Sequence, residues 1–133
     1  MEGKNKLIII LSVIIIIAII YTNSQTLSKE IISTEFLLGE NMGFDLSSGK
    51  LNFGQIIPGH SASREITIDN NFKNPIIVSI KSSGEISKYI IVSKNNFLLN
   101  PSESKNVTFT AYADDITEFR PYKGKIIITS TRT

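Results

Sequence analysis

The feature that most constrains this chain is an almost unbroken apolar run near its N-terminus, LIIILSVIIIIAIIY, over residues 7–21. Ser12 is the only polar residue before the final tyrosine, and a helix satisfies such a hydroxyl by a bond to its own backbone. As a helix the run spans about 22 Å, against about 30 Å for the hydrocarbon layer of a bilayer. Lys4 and Lys6 precede the run and can reach back to one surface. The sequence therefore predicts a transmembrane helix over residues 7–22.

A cleaved signal peptide is the alternative interpretation of this segment, because a basic start, an apolar stretch and the small residues Thr22 and Ser24 follow one another. The run is long for a signal peptide and no Ala-x-Ala site follows it, which favours a retained signal anchor. Lys4 and Lys6 place residues 1–6 in the cytoplasm by the positive-inside rule. The rest of the chain is then extracytoplasmic, or secreted if the segment is cleaved.

Composition limits what the remaining residues can form. About 110 residues are left, enough for one domain. A formal net charge of +2 with singly scattered basic residues gives no reason to expect nucleic acid as a partner. The chain has no cysteine, which excludes disulfides, thiolate metal sites, Cys nucleophiles and lipid attachment to a Cys. One domain must therefore rest on its own apolar core.

The region after the helix changes from helical to strand-like patterning. Residues 23–34 are mostly polar and are predicted to form a stalk. Beyond them, short apolar runs alternate with Gly, Pro, Asn and Ser, a pattern typical of strands. The predicted strands are 36–38, 44–46, 51–57, 64–69, 76–81, 89–93, 97–99, 106–113 and 125–131. Their number and spacing predict an all-β domain over 35–133, an antiparallel β-sandwich of about 7–9 strands.

The predicted core follows from alternation within these strands. Apolar and polar residues alternate over 106–113. This places Phe109 and every second residue on either side of it on the inward face, and the threonines between them on the outward face. The side chains expected to share one core are Phe53, Ile66, Ile68, Val78, Phe109 and Ile128.

Several short motifs resemble those of immunoglobulin-like domains of the ASH and major-sperm-protein type. Leu51-Asn52-Phe53-Gly54-Gln55-Ile56-Ile57-Pro58-Gly59 is similar to the opening strand of those domains. Leu99-Asn100-Pro101-Ser102-Glu103 resembles the turn before a later strand, and Tyr122-Lys123-Gly124-Lys125-Ile126 the entry to the last one. The resemblance covers residues 51–131. It implies a sandwich used for binding or scaffolding, and it carries over no active site.

A second resemblance concerns architecture alone. The stator-like accessory subunits of the archaeal flagellum also have one N-terminal membrane helix and an outer β-sandwich. No residue motif links this chain to them, so the likeness implies only a contact role at the cell surface.

The single histidine, His60, lies in a turn beside Ser61 and Ser63 and is the first candidate for a catalytic arrangement. A nucleophile pair needs the hydroxyl within about 3 Å of the imidazole and a third group that orients the ring. Neighbours on a turn rarely meet that geometry. A solvated turn histidine is the expected role.

Two loops were considered as ligand sites. Asp114, Asp115 and Glu118 could offer oxygens to Ca²⁺, although Arg120 beside them favours a solvated acidic turn. The segment Gly39–Gly43 is bounded by glycines but precedes no helix, so a phosphate cradle lacks its helix N-terminus. No metal or other cofactor is therefore predicted.

The remaining predictions concern contacts. Asn106 begins an Asn-Val-Thr sequon and is a candidate glycosylation site. Tyr89 and Tyr112 are candidate exposed aromatics, with a core or corner position for one of them as the alternative. The last strand is β-branched and nearly uncharged, and at a sheet edge it would be a template for strand addition; a strand sealed between two neighbours is the alternative. The candidate edge-contact residues in it are Lys125, Ile127, Thr129 and Thr131.

Together these features predict a single-pass, non-catalytic binding or structural module of the cell envelope. The expected partner is a protein or a surface polymer, and the oligomeric state stays open. The alternative is an anchored or secreted ligand-binding or metal-binding protein, or a hydrolase, that uses the acidic loop at 114–118.

Overall fold

The computed structural model describes residues 2–40 and 51–133, with the side chains of residues 2 and 22–24 left out. One α-helix, α1, covers Glu2–Ser24 and is followed by strands and one 3₁₀ helix, Glu85–Tyr89. The strands are β1 (Thr26–Leu38), β2 (Leu51–Ile56), β3 (Ser61–Asp69), β4 (Ile76–Gly84), β5 (Ile90–Val92), β6 (Phe97–Leu99), β7 (Ser104–Tyr112) and β8 (Pro121–Arg132). The strand predicted at 44–46 lies outside the described residues.

Helix α1 confirms the predicted apolar helix. Its stretch Gly3–Tyr21 is long and apolar enough to cross a membrane, and none of it is buried by the protein. Ser12 Oγ donates to the Ile9 carbonyl oxygen at 2.8 Å, so the one polar side chain inside the apolar run is satisfied within the helix.

The prediction of a stalk over 23–34 is wrong, because residues from Thr26 onwards form the long strand β1. This strand pairs antiparallel with β8, from Thr26 opposite Thr131 to Leu37 opposite Pro121. Only Gln25 separates the helix from the strand. Both faces of the first half of β1 are largely exposed, and polar residues occupy both. Its sequence therefore lacks the alternation that marks a half-buried strand. The domain therefore begins at Thr26, not at residue 35.

Two sheets form the domain. The larger has the order β2-β1-β8-β4-β6 and the smaller β3-β7-β5. Every pair is antiparallel except β1 with β2, which is parallel. Strand β8 lies between β1 and β4. The last strand is therefore sealed between two neighbours, and its interpretation as an open edge is wrong, because β1 pairs with the side of β8 that faces away from β4.

The two sheets bury one apolar core between them. Of the predicted core residues, Phe53, Val78, Phe109 and Ile128 are buried. The alternation predicted for β7 is confirmed, since its inward residues are all buried and those between them are not. Ile66 and Ile68 are only partly buried and pack at the margin of the core.

Side chains cover parts of both edges of the larger sheet. The Asn95 amide pairs with the backbone of Ile80 in both directions, at 2.7 and 2.8 Å, and so extends the ladder beyond the short strand β6. Lys105 Nζ donates to the Leu98 carbonyl oxygen on β6 at 2.9 Å. Arg64 Nε donates to the carbonyl oxygen of Asn52 on β2 at 3.0 Å. Such caps satisfy backbone groups that would otherwise be open to another strand.

Candidate functional site

A groove of about 320 Å³ lies between the two sheets at the helix end of the domain. We call it the inter-sheet groove. One wall is formed by β1 and β8, the other by β3 and the turn that follows it. It is lined by Ser28, Glu30, Ile66, Thr67, Ile68, Asp69, Asn71, Phe72, Ile128 and Ser130.

The groove exists because the inward face of β1 changes character along its length. Towards the far end, alternate residues such as Phe36 and Leu38 are buried in the core. The same alternation places Glu30 and Ser28 on that inward face near the helix, opposite Ile128 and Ser130 of β8. Both are exposed. Polar side chains at core-facing positions keep the two sheets from closing over this end.

Facing them, β3 leaves two core isoleucines incompletely covered. Ile66 and Ile68 alternate with the exposed residues of β3 and point towards the core, but both keep partial solvent exposure. An apolar side chain loses part of its stabilisation when water still reaches it. The groove therefore offers apolar surface that an inserted side chain could cover.

Among residues 2–40 and 51–133, strand edges without a paired strand border the groove on both sides. Strand β2 pairs with β1 only from Thr34 onwards, where Thr34 Oγ1 also donates to the Leu51 carbonyl oxygen at 2.8 Å. Within residues 2–40 and 51–133, no strand pairs with the outer side of β1 over Thr26–Ser33. Strand β3 is likewise an edge of its sheet. Unpaired N–H and C=O groups of this kind are the template for strand addition.

The electrostatic character of the groove is acidic. Asp69 is held by Ser104, whose Oγ donates to Asp69 Oδ1 at 2.5 Å. Glu30 forms no ion pair or hydrogen bond with any residue in the described part of the chain. One free carboxylate beside four apolar side chains suits a ligand that carries both a cationic and an apolar group.

The histidine and serines that the sequence placed together are held by other partners. His60 Nδ1 lies 3.2 Å from the Pro58 carbonyl oxygen, and Ser63 Oγ lies 2.8 Å from Thr110 Oγ1. Both are exposed, and they lie at the end of the domain remote from α1. The structure shows no hydrogen bond between His60 and either Ser61 or Ser63.

The acidic loop does not gather its three carboxylates. Asp114 and Asp115 border a shallow hollow of about 500 Å³ with Tyr89, Tyr112, Lys88 and Ile91. Glu118 instead accepts from Arg120 Nε at 2.8 Å. Among the residues that the structure describes, no three His, Asp or Glu side chains come close enough to hold a metal ion. Of the segment Gly39–Gly43, residues 41–43 lie outside the described ranges.

Arg120 instead organises an ion-pair and aromatic cluster at the far end. Its guanidinium donates to both carboxylate oxygens of Glu85 and lies 4.3 Å from the ring centroid of Tyr122. These hydrogen bonds raise the pKa of Arg120 and lower that of Glu85, while burial raises the pKa of Tyr122. Tyr122 stacks on Phe36 with ring centroids 5.1 Å apart. The cluster joins β1 to β8 and has a structural role.

The candidate glycosylation site is exposed on β7, but its amide is engaged on both sides. Asn106 Nδ2 donates to Glu65 at 2.9 Å, and Thr67 Oγ1 donates to Asn106 Oδ1 at 2.9 Å. Its glycosylation stays a prediction. The four candidate edge-contact residues Lys125, Ile127, Thr129 and Thr131 lie on β8 inside the larger sheet, paired on both sides.

Sequence reasoning missed the inter-sheet groove because it missed β1. The available signal was the alternation of Ile32, Thr34, Phe36 and Leu38, which share one face of a strand and can be extended backwards to Glu30 and Ser28. The chain matches no protein-family model, no characterised protein and no solved structure.

Proposed function

We propose that this chain is a membrane-tethered, extracytoplasmic binding module without catalytic function. The observation that carries the proposal is the single residue, Gln25, between the apolar helix α1 and the structural strand β1. A strand that pairs along most of its length with β8 cannot leave the domain without unfolding it. The domain therefore cannot move away from its anchor, and a partner binds it at the membrane surface.

The strand order supports an immunoglobulin-like type for this module. In that fold one sheet holds the second, fifth and fourth strands and the other the third, sixth and seventh. Here β3, β7 and β5 take the places of the first set, and β4 and β8 those of the third and sixth strands. The N-terminal strand β1 takes the place of the seventh. One departure is that β1 comes first in the chain and not last, and a second is that β6 returns to pair with β4 after β5 has already joined the other sheet.

The inter-sheet groove is the proposed contact surface, and an extended segment of a partner protein is its proposed occupant. The open edges of β1 and β3 supply backbone hydrogen bonds. Ile66 and Ile68 take an apolar side chain, and Glu30 takes a lysine or arginine. An anchored or secreted ligand-binding or metal-binding protein, or a hydrolase, acting through the acidic loop at 114–118 stays the alternative, and a search for hydrolytic activity in the purified full chain tests it.

The tether and its orientation are tested with single cysteines, since the chain has none of its own. Lys94→Cys is exposed on the domain, and Lys4→Cys precedes the apolar run. A membrane-impermeant maleimide should label the Lys94 variant in intact cells and the Lys4 variant only after permeabilisation. Labelling of the Lys4 variant in intact cells would reverse the orientation, and loss of that residue from the mature chain would establish cleavage.

The contact surface is tested by a photo-crosslinking amino acid at position 66 in intact cells. Position 77 is the matched control, because Ile77 is an exposed isoleucine on the outer face of the larger sheet. A discrete adduct should form from position 66, be absent from position 77 and be weakened by Glu30→Lys. Equal adducts from both positions, or none from position 66, would contradict the groove as the contact surface.

A further inference from the structure

The turn between β3 and β4, Asn70–Pro75, lies at the same end of the domain as the C-terminus of α1. Strand β1 begins there, with Thr26 opposite Thr131 of β8. Strand β4 also begins there, with Ile76 opposite Arg132. The turn that leads into β4 must therefore share this end with the helix.

Chain length brings this end to the bilayer surface. Tyr21 ends the apolar run, and five further residues lead to Thr26, a rise of about 7 Å in helical geometry. The headgroup layer of one leaflet is about 5–8 Å thick. With Tyr21 at the boundary of the hydrocarbon layer, the first residues of β1 lie within the headgroups, and so does the turn beside them.

The turn is rigid and presents an aromatic ring. The Asn70 side chain is buried; its Nδ2 donates to the carbonyl oxygens of Asn74, at 3.0 Å, and Leu99, at 2.9 Å. Its Oδ1 accepts from the Phe72 backbone N–H at 2.9 Å. Phe72 is nevertheless 38% exposed at the turn. Fixing the backbone in advance lowers the entropy lost when a side chain binds a surface.

Charge at this end is mixed: Glu30 and Asp69 line the inter-sheet groove, whereas the turn and the end of β8 carry cations. The side chains of Lys73 and Arg132 are exposed and form no ion pair within the described ranges. The neighbouring carboxylate of Glu103 is engaged by the Asn100 backbone N–H at 2.7 Å and by Lys105 at 3.2 Å. Lys73 follows the exposed Phe72 in the chain, and Arg132 lies opposite Ile76 at the same end of the domain; each cation near an anionic lipid surface contributes about 1 kcal/mol of attraction.

We propose that the turn Asn70–Pro75 and the C-terminal Arg132 form a second contact with the membrane that hosts α1. Phe72 inserts at the boundary between headgroups and acyl chains, and Lys73 and Arg132 bind lipid phosphates. This contact rests on the membrane anchoring proposed above. It holds the domain upright on the bilayer and fixes the height of the inter-sheet groove, since Phe72 also lines that groove.

The chain contains no tryptophan, so single tryptophans report depth without background. Three full-length variants are reconstituted in vesicles of phosphatidylcholine and phosphatidylglycerol, with and without brominated acyl chains. Tyr21→Trp reports the anchor, Phe72→Trp the proposed contact, and Phe119→Trp the far end of the domain, where Phe119 is 59% exposed. Bromine quenches indole emission only at close range.

The expected result is loss of emission from the Tyr21→Trp and Phe72→Trp variants in brominated vesicles and unchanged emission from Phe119→Trp. Adding Lys73→Glu and Arg132→Glu to Phe72→Trp should restore much of its emission, whereas Lys94→Glu should not. Quenching of Tyr21→Trp without quenching of Phe72→Trp overturns the second contact and leaves the anchor intact. Failure of Tyr21→Trp to be quenched overturns the anchor itself, and equal quenching of Phe72→Trp and Phe119→Trp overturns an end-on contact.

Discussion

The side-chain amide of Asn70 donates a hydrogen bond of 2.9 Å to the carbonyl oxygen of Leu99 and so joins the two sheets at the helix end of the domain. Asn70 follows β3 in the smaller sheet, and Leu99 ends β6 in the larger one. The bond is buried, and the other amide hydrogen and the amide oxygen are also satisfied. A buried amide with all its partners orders the turn more firmly than apolar packing alone would.

Asn70→Ala should therefore destabilise the domain by about 1–3 kcal/mol, because it removes the hydrogen bonds that the buried amide donates to the carbonyl oxygens of Leu99 and Asn74. The measurement is the free energy of unfolding of the detergent-solubilised chain in urea. Asn71→Ala is the matched control, since Asn71 is exposed in the same turn. Equal unfolding free energies for both variants would contradict the structural role of Asn70.

Strand β1 should be indispensable for folding. A fragment of residues 25–133 keeps the whole β1–β8 ladder, whereas a fragment of residues 35–133 removes most of it and exposes one side of β8. The longer fragment should unfold cooperatively, and the shorter one should lack a cooperative transition in circular dichroism. A shorter fragment that melts like the longer one would show that residues 26–34 are the stalk that their sequence suggests.

The core prediction made from the sequence can be tested with matched phenylalanines. Phe109 on β7 is fully buried and Phe119 is exposed. Phe109→Ala should cost about 3–5 kcal/mol of unfolding free energy through lost burial and the cavity left behind, whereas Phe119→Ala should leave it nearly unchanged. A Phe109→Ala variant with the melting temperature of the parent would refute the shared core.

Acid should weaken the far-end cluster through Glu85. The Arg120 hydrogen bonds lower the pKa of Glu85 below its ordinary value of 4.5, so the carboxylate stabilises the fold above that pH. Its contribution is lost as the pH falls through the lower folded-state pKa. Glu85→Gln should therefore flatten the dependence of melting temperature on pH below about 4.5. Adding Arg120→Gln to the Glu85→Gln variant should change the pH dependence of the melting temperature little further. A large additional change would show that the two residues act independently.

The apolar helix and most strands could be predicted from local sequence, because the run over residues 7–21 and the alternation in β7 depend only on neighbours along the chain. The first half of β1 is not predicted as a strand, because apolar and polar residues do not alternate in it. Ser28 and Glu30 occupy core-facing positions that water still reaches, so their polarity gave the signal of a stalk.

The sequence by itself determined that a membrane-length helix precedes an all-β domain and that Phe109 and its alternating neighbours are buried, since hydrophobic periodicity decides both. Only the tertiary structure decided which strands are edges. Pairing between β1 and β8 joins residues far apart in sequence, and local patterns carry no information on such partners. That pairing places Ile127 inside the larger sheet and, among the described residues, leaves the outer side of the first half of β1 without a paired strand, next to the groove that Glu30 lines.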